Sequence, residues 1–131
     1  MSGSYRDLRA WQCAIELVTQ IYACTREFPS DELYGLTNQL RRASVSVASN
    51  IAEGKGRSSD KELVHFLHQA RGSLHEVETQ LTIAHRLRYL RPTQANDLSA
   101  QAGELARILN GLITALKGSD KGDEKGKKRI A

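Results

Sequence analysis

The sequence predicts an all-α protein, an antiparallel up-down-up-down four-helix bundle. Apolar residues recur at steps of three and four in four separate segments, which is the spacing of one helical face. Only two prolines occur in 131 residues, and the segments between the helical patterns are short, which makes sequential helices antiparallel. With 40% hydrophobic residues, the chain can bury one core of its own.

The first two helices are separated by Pro29. We expect the second helix to end at Gly54, because glycine adopts the left-handed conformation that often ends a helix. The two predicted apolar stripes are Leu8, Trp11, Ile15, Val18 and Tyr22, then Leu36, Leu40, Ala43, Val47, Asn50 and Gly54.

The third and fourth helices have recognisable start signals. Ser59 and Glu62 match a capping box, in which each side chain accepts a hydrogen bond from the backbone N–H of the other residue. Thr93, after Pro92, is the predicted N-cap of the fourth helix. The predicted stripes are Leu63, Leu67, Ala70, Leu74, Val77, Leu81 and Ala84, then Leu98, Ala102, Leu105, Leu109, Leu112 and Leu116.

The chain divides into a bundle domain, residues 1–117, and a charged C-terminal tail, residues 118–131. The tail is rich in glycine and charge and has no apolar period, so it is predicted to be disordered. From Lys117 onward, six Lys and Arg residues against three Asp and Glu residues account for most of the formal net charge of +4. The folded part is therefore nearly neutral.

Composition also limits the location of the protein. No apolar run has the length needed to cross a bilayer, and the N-terminal residues lack the apolar segment of a signal peptide. Cys13 and Cys24 lie on one predicted helix, about 16 Å apart along its axis, which is too far for a disulfide. We expect free thiols, a cytoplasmic protein and no membrane partner.

No residue pattern indicates catalysis. Glu62 and His65 have the Glu-x-x-His spacing of di-iron bundles, but the sequence has no second copy of it. His65, His68 and His75 are predicted to lie on one exposed side of the third helix, without the further ligands of a metal site. We expect no enzyme activity, cofactor or metal.

A basic loop joins the second and third helices. Lys55, Arg57 and Lys61 surround the start of a helix, where free backbone amides and cations attract phosphate. An ordinary solvated turn is the alternative interpretation. The candidate nucleic-acid-binding residues are those of the loop, the second helix and the tail: Arg41, Arg42, Lys55, Arg57, Lys61, Lys127, Lys128 and Arg129.

Polar residues interrupt the apolar stripe near the end of the second helix. Asn50, Glu53 and Gly54 are predicted to form a structural polar network, with Arg41 or Arg42 as partner of Glu53. A ligand-binding role for the same residues is the alternative. The first and fourth helices, in turn, have more apolar residues than one buried face requires, which predicts self-association. The surplus residues are Ala14, Leu17, Ile21, Ile108 and Ile113.

Four segments carry a resemblance to a known family: "DLRAWQCAIELVTQIYACTREFP", "YGLTNQLRRASVSVASNIAEGKGR", "ARGSLHEVETQLTIAHRLRYL" and "ELARILNGLITALK". They resemble the four-helix-bundle proteins encoded in intervening sequences of bacterial large-subunit ribosomal RNA genes. The resemblance implies a homopentameric ring. More remotely, the chain is similar to accessory variability determinant proteins of diversity-generating retroelements, pentamers that bind nucleic acid and a reverse transcriptase. Three residues depart from the family pattern: Ala48 replaces a frequent proline, Lys55 an aromatic residue and Arg88 a glycine.

These observations together predict a non-enzymatic cytosolic homo-oligomer. Five subunits are favoured by the resemblance, and RNA or DNA is the favoured partner through the basic loop and tail. The alternative is a structural or protein-partner scaffold with no nucleic-acid role.

Overall fold

A computed structural model describes the backbone of residues 3–130 and the side chains of residues 3–118. Over these residues it has four α-helices and no strand: α1 (Arg9–Thr25), α2 (Leu36–Lys55), α3 (Asp60–Arg86) and α4 (Pro92–Ile130). Each helix packs on the next along the chain, and α4 also packs on α1. The all-α, four-helix prediction is confirmed.

The core runs along the middle of the bundle. Of the thirteen residues in the predicted stripes of α3 and α4, ten are buried and three, Leu63, Leu112 and Leu116, are half-buried. The largest fully buried side chains come from all four helices: Leu17, Ile21, Leu40, Ile51, Leu67, Leu74, Leu105 and Leu109.

The buried face of α1 differs from the predicted one. The predicted stripe leaves Ile15 37% and Tyr22 38% exposed. Because both sides of this helix are apolar, spacing alone does not decide which side faces the core. The apolar residues that α1 buries lie on the adjacent arc: Ala10, Ala14, Leu17, Ile21 and Cys24.

Gly54 does not end α2 in a left-handed turn, and that prediction is wrong. The helix continues through Lys55, and no glycine in the described residues has a positive φ. Gly54 is buried against α3 instead. A Cβ added there would lie 2.8 Å from Cβ of Phe66 and 3.1 Å from Cδ1 of Leu63. The absence of a side chain at Gly54 therefore lets α2 and α3 approach closely.

One of the two predicted N-caps is confirmed. The amide of Glu62 donates to Oγ of Ser59 at 3.2 Å, while the Ser59 hydroxyl, rather than its amide, lies 3.2 Å from the Glu62 carboxylate. Thr93 is not the N-cap of α4, because that helix already begins at Pro92. Proline suits a first helical position, since its missing N–H would have no helical partner. The Arg91 amide donates to Oε1 of Gln94 at 3.0 Å.

Most of the predicted tail, including Lys127, Lys128 and Arg129, lies outside the residues whose side chains are described. Among the residues that the structure describes, no helix is both long and apolar enough to cross a bilayer.

Candidate nucleic-acid interface

The basic loop is the short connection from the end of α2 to Ser59, the N-cap of α3. The N-terminal residues Gly3–Tyr5 lie beside it, and a groove of about 390 Å³ separates the two segments. Lys55, Arg57 and Ser58 line this groove, together with Asp60 at the start of α3. It is an open surface feature that an extended anionic chain can reach.

Arg57 is held by two neighbours. Its guanidinium donates to Oε1 of Glu53 at 2.5 Å, and its Cζ lies 4.9 Å from the centre of the Phe66 ring. The side chains of the ion pair are 41% and 56% exposed, and exposed pairs contribute only about 0–1 kcal/mol. A phosphate can therefore compete with Glu53 for Arg57 at little cost.

The two lysines that flank the loop, one at the end of α2 and one in the first turn of α3, are less constrained. Lys55 is half-buried and Lys61 is exposed, and neither forms a salt bridge within the described residues. The same stretch of chain carries three carboxylates, those of Glu53, Asp60 and Glu62. A single loop is thus close to neutral and has a weak field for polyanions.

Arg41 and Arg42 are not part of this loop site. Arg41 donates from Nε to Oγ1 of Thr25 at 2.9 Å, and its Cζ lies 4.7 Å from the Tyr22 ring centre. It therefore joins α2 to α1. Arg42 is exposed and lines a polar cleft between α2 and α3. Both lie more than ten residues before Lys55 on the same helix, well over 15 Å away along its axis.

The predicted partner of Glu53 is consequently wrong. Glu53 pairs with Arg57, four residues later on the chain, rather than with Arg41 or Arg42. The pair joins the last turn of α2 to the loop, and exposed pairs of this kind are ordinary surface interactions.

Asn50 forms its hydrogen bonds with Ser46 and not with the predicted partners Glu53 and Gly54. Nδ2 of Asn50 donates to the carbonyl oxygen of Ser46 at 2.9 Å and lies 3.1 Å from its Oγ. The Ser46 hydroxyl in turn lies 2.9 Å from the hydroxyl of Ser73 on α3. Sequence reasoning missed both serines, although Ser46 precedes Asn50 by one helical turn. The network fixes the position of α2 against α3 and does not include Glu53.

The histidines singled out from the sequence lie on the surface of α3. His65 and His75 are exposed and His68 is half-buried. Among the described residues no group of three His, Cys, Asp or Glu side chains is arranged to hold a metal ion. Glu62, the other member of the Glu-x-x-His spacing, faces solvent at the N-cap of α3.

A second apolar face runs along α1, beside the buried one. We call it the α1 outer face. Leu8, Trp11 and Val18 are half-buried and also pack against the core, whereas Ile15 and Tyr22 are more than a third exposed. The Trp11 ring is in edge contact with Tyr5, with ring centres 5.2 Å apart. The residues of the α1 outer face are Leu8, Trp11, Ile15, Val18 and Tyr22.

The chain is similar to known proteins in sequence and in fold. Residues 6–111 match the family described as 23S rRNA-intervening sequence protein. A crystal structure of a protein of unknown function from the S23 ribosomal protein family of Bacteroides thetaiotaomicron has the same fold, with a TM-score of 0.74 and 19% identity. The similarity covers 80% of this chain and 95% of that one. A comparison with curated proteins finds no significant match.

Proposed function

We propose, from the premise that the chain belongs to the 23S rRNA-intervening sequence protein family, that it is a non-enzymatic, self-associating scaffold that binds nucleic acid. The proposal has two parts, an assembly built through the α1 outer face and a set of basic loops that act together within it. The proposed partner is RNA or DNA, and the proposed location is the cytoplasm.

The α1 outer face is the observation that supports assembly best. A helix at the surface of a monomeric bundle normally has one apolar arc. In α1 a second arc carries Ile15 and Tyr22, 37% and 38% exposed. Apolar patches that extend beyond scattered single residues mark interaction sites.

A closed ring is the form of assembly we propose, with five subunits. In a ring each subunit uses two different surfaces, one for each neighbour. The α1 outer face supplies one of them. The bundle form of the chain is compatible with this arrangement, and membership of the family motivates the number five.

Assembly would compensate for the weakness of each loop. One loop offers Lys55, Lys61 and a displaceable Arg57, opposed by nearby carboxylates, and few phosphate contacts give little affinity at physiological salt. Several copies held in one particle bind an extended polyanion together, because the later contacts become intramolecular. The cations predicted in the tail, Lys127, Lys128 and Arg129, would add to the same effect.

A protein-partner scaffold without a nucleic-acid role is the second candidate. It is favoured by one observation, the near neutrality of the loop when Glu53, Asp60 and Glu62 are counted. On this alternative the α1 outer face and the polar cleft of α2 and α3 contact other proteins.

A gel-shift titration across a salt series distinguishes the two candidates. The wild-type chain is compared with a variant in which Lys55, Arg57 and Lys61 are changed to Gln, and with a chain that ends at Lys117. The proposal predicts that wild type binds labelled RNA or DNA with a steep salt dependence and that both changes weaken binding. If wild type binds neither at low salt, or both variants bind as wild type does, the protein-partner scaffold replaces this function.

A further inference from the structure

A row of basic side chains follows the exposed side of α3, beginning at the loop. At 3.6 residues per turn, the row falls within an arc of about 80° around the helix. It consists of four basic residues and one glycine: Lys61, His65, His68, Gly72 and His75. Four of the five residues are exposed and His68 is half-buried. From the first to the last, the row extends about 21 Å along the helix, which is the length of several consecutive phosphates.

The adjacent edge of α4 extends this row sideways. Arg71 donates from one nitrogen to Oδ1 of Asn110 on α4 at 3.0 Å, and its other terminal nitrogen lies 2.9 Å from Nδ1 of His68. Lys117 lies two helical turns after Asn110 on α4, and its positive charge contributes to lowering the pKa of His68. We call the combined surface the histidine face, defined by Lys61, His65, His68, Arg71, His75 and Lys117.

Gly72 lies in the middle of the histidine face without a packing reason. A Cβ added at this position would meet no atom within 4 Å, in contrast to Gly54. Glycine in a helix interior is less favourable than alanine by about 0.5–1 kcal/mol. Because Gly72 has no side chain, the helix surface is bare at this point, and the backbone of a ligand can approach it closely.

Three acidic residues of α3 flank the histidine face, and each contacts or lines a neighbouring surface feature. Glu62 is engaged by the Ser59 hydroxyl at the N-cap of α3. Glu76 lines the cleft on the α2 side, and Glu78 lines a different pocket with Thr82 and Asn96. No salt bridge in the described residues involves a residue of the histidine face.

We propose that the histidine face is a phosphodiester-binding surface whose affinity for nucleic acid rises as its histidines become protonated. The inference rests on the proposed nucleic-acid binding and adds to it a second surface, continuous with the basic loop through Lys61. The ligand is the sugar-phosphate backbone of a single nucleic-acid strand. This backbone follows α3 and passes over Gly72.

Protonation changes the face in a defined way. Neutral His68 presents Nδ1 as an acceptor to Arg71, and protonation removes this acceptor and adds a positive charge. Burial first, then the charges of Lys117 and Arg71 and the presence of His65, lower the pKa of His68. The charged groups acting on it from both helices are therefore cations. The negative charge of a bound phosphate offsets these positive charges, so phosphate binding and histidine protonation favour each other.

The test is a binding titration of the full chain with a labelled single-stranded RNA at about pH 8 and at about pH 5.5, on either side of the usual histidine pKa. Each pH is measured across a salt series. The test variant changes His65, His68 and His75 to Gln. The matched control changes His85 to Gln, since His85 is also exposed on α3 but lies near the opposite end of the helix. Light scattering at each pH checks that the assembly is the same.

For wild type and H85Q, we expect affinity to rise about tenfold at the lower pH, with a salt slope steeper by about two, because single-strand contacts contribute roughly 0.7 each. For the triple variant, affinity should change less than about twofold between the two pH values. Wild-type binding that is independent of pH, or an unchanged pH response in the triple variant, overturns the inference. In either case binding that still depends on the loop leaves the proposed function intact. No RNA binding at any pH overturns both.

Discussion

The hydroxyl of Tyr89 donates to Oε2 of Glu32 at 2.9 Å, and this bond joins the α3–α4 connection to the α1–α2 connection. The other carboxylate oxygen of Glu32 accepts from the Leu36 amide at 3.2 Å, at the first residue of α2. The bond to Glu32, then burial, then the charges of Glu32 and Asp31 raise the pKa of Tyr89. One side chain thus caps a helix and closes one end of the bundle.

Removing this carboxylate should destabilise the fold. We expect Glu32→Ala to lower the free energy of unfolding by about 1–2 kcal/mol, because the α2 N-terminus loses its side-chain acceptor. Tyr89→Phe should have a smaller effect in the same direction. Urea unfolding measures both, with Asp31→Asn as the control, since Asp31 is an exposed neighbour. If the control loses as much stability as Glu32→Ala, general charge rather than this bond is responsible.

Arg88 adopts a backbone conformation that suits glycine. Its φ is 65°, and it is the only non-glycine residue of the described chain with a positive φ. The amide of Tyr89 donates to the carbonyl of Ala84 at 2.9 Å, and that of Arg88 to His85 at 3.0 Å. These two bonds form the Schellman motif, which usually has glycine at this position.

We therefore expect Arg88→Gly to stabilise the protein by about 1 kcal/mol, the order of the left-handed penalty for a residue with a Cβ. Thermal or urea unfolding measures the gain. Arg88→Ala keeps the Cβ and removes the charge, so it should not give the same stabilisation. Equal gains for the two variants would show that the charge, and not the backbone, is unfavourable at this site.

Gly54 and Gly111 give opposite expectations for the same substitution. Alanine favours helix over glycine by about 1 kcal/mol, and at Gly111 a Cβ would meet nothing within 4 Å. Gly111→Ala should therefore stabilise the chain. At Gly54 the new Cβ would lie 2.8 Å from that of Phe66, and we expect a loss of about 1–3 kcal/mol from overpacking. A stabilising Gly54→Ala would contradict the close approach of α2 and α3.

The two cysteines should differ in reactivity. Cys24 is buried, and burial raises the pKa of its thiol to about 11. Cys13 is only half-buried. The folded state thus favours the neutral Cys24 thiol, and this contribution to stability is lost as pH rises through the folded value. At neutral to mildly alkaline pH, we expect a thiol reagent to modify Cys13 first and Cys24 only on unfolding. Rates for Cys13→Ser and Cys24→Ser chains separate the two sites. Equal rates in the folded state would refute this difference.

The fold was predictable because it depends on periodicity. The α3 stripe from Leu67 to Ala84 is buried as predicted, since its opposite side is polar and leaves one choice of face. In α1 both sides are apolar, so spacing did not reveal whether Ile15 or Leu17 faces the core.

The candidate site was less predictable, because it depends on partners in three dimensions. Sequence placed Lys55, Arg57 and Lys61 around the start of the third helix. In the structure Lys55 is the last residue of α2, Arg57 lies in the loop and Lys61 lies in the first turn of α3. It did not show that Arg57 pairs with Glu53, or that Arg41 is directed to Thr25. The role of Gly54 could not be predicted either, because the sequence does not distinguish a glycine that allows close helix packing from one that ends a helix in a turn.

The mass of the particle in solution tests the central claim, self-association through the α1 outer face, most directly. Light scattering is measured at micromolar concentration on wild type, on Ile15→Glu with Tyr22→Glu, which are the two exposed residues of the face, and on a control with Ala23→Glu, an exposed position about 100° around the same helix from Tyr22. We predict a wild-type mass several times the 14.5 kDa of one chain, with five chains expected, unchanged by the control and reduced to a monomer by the double variant. A wild-type mass of one chain, or an assembly that survives both charges, would contradict the account.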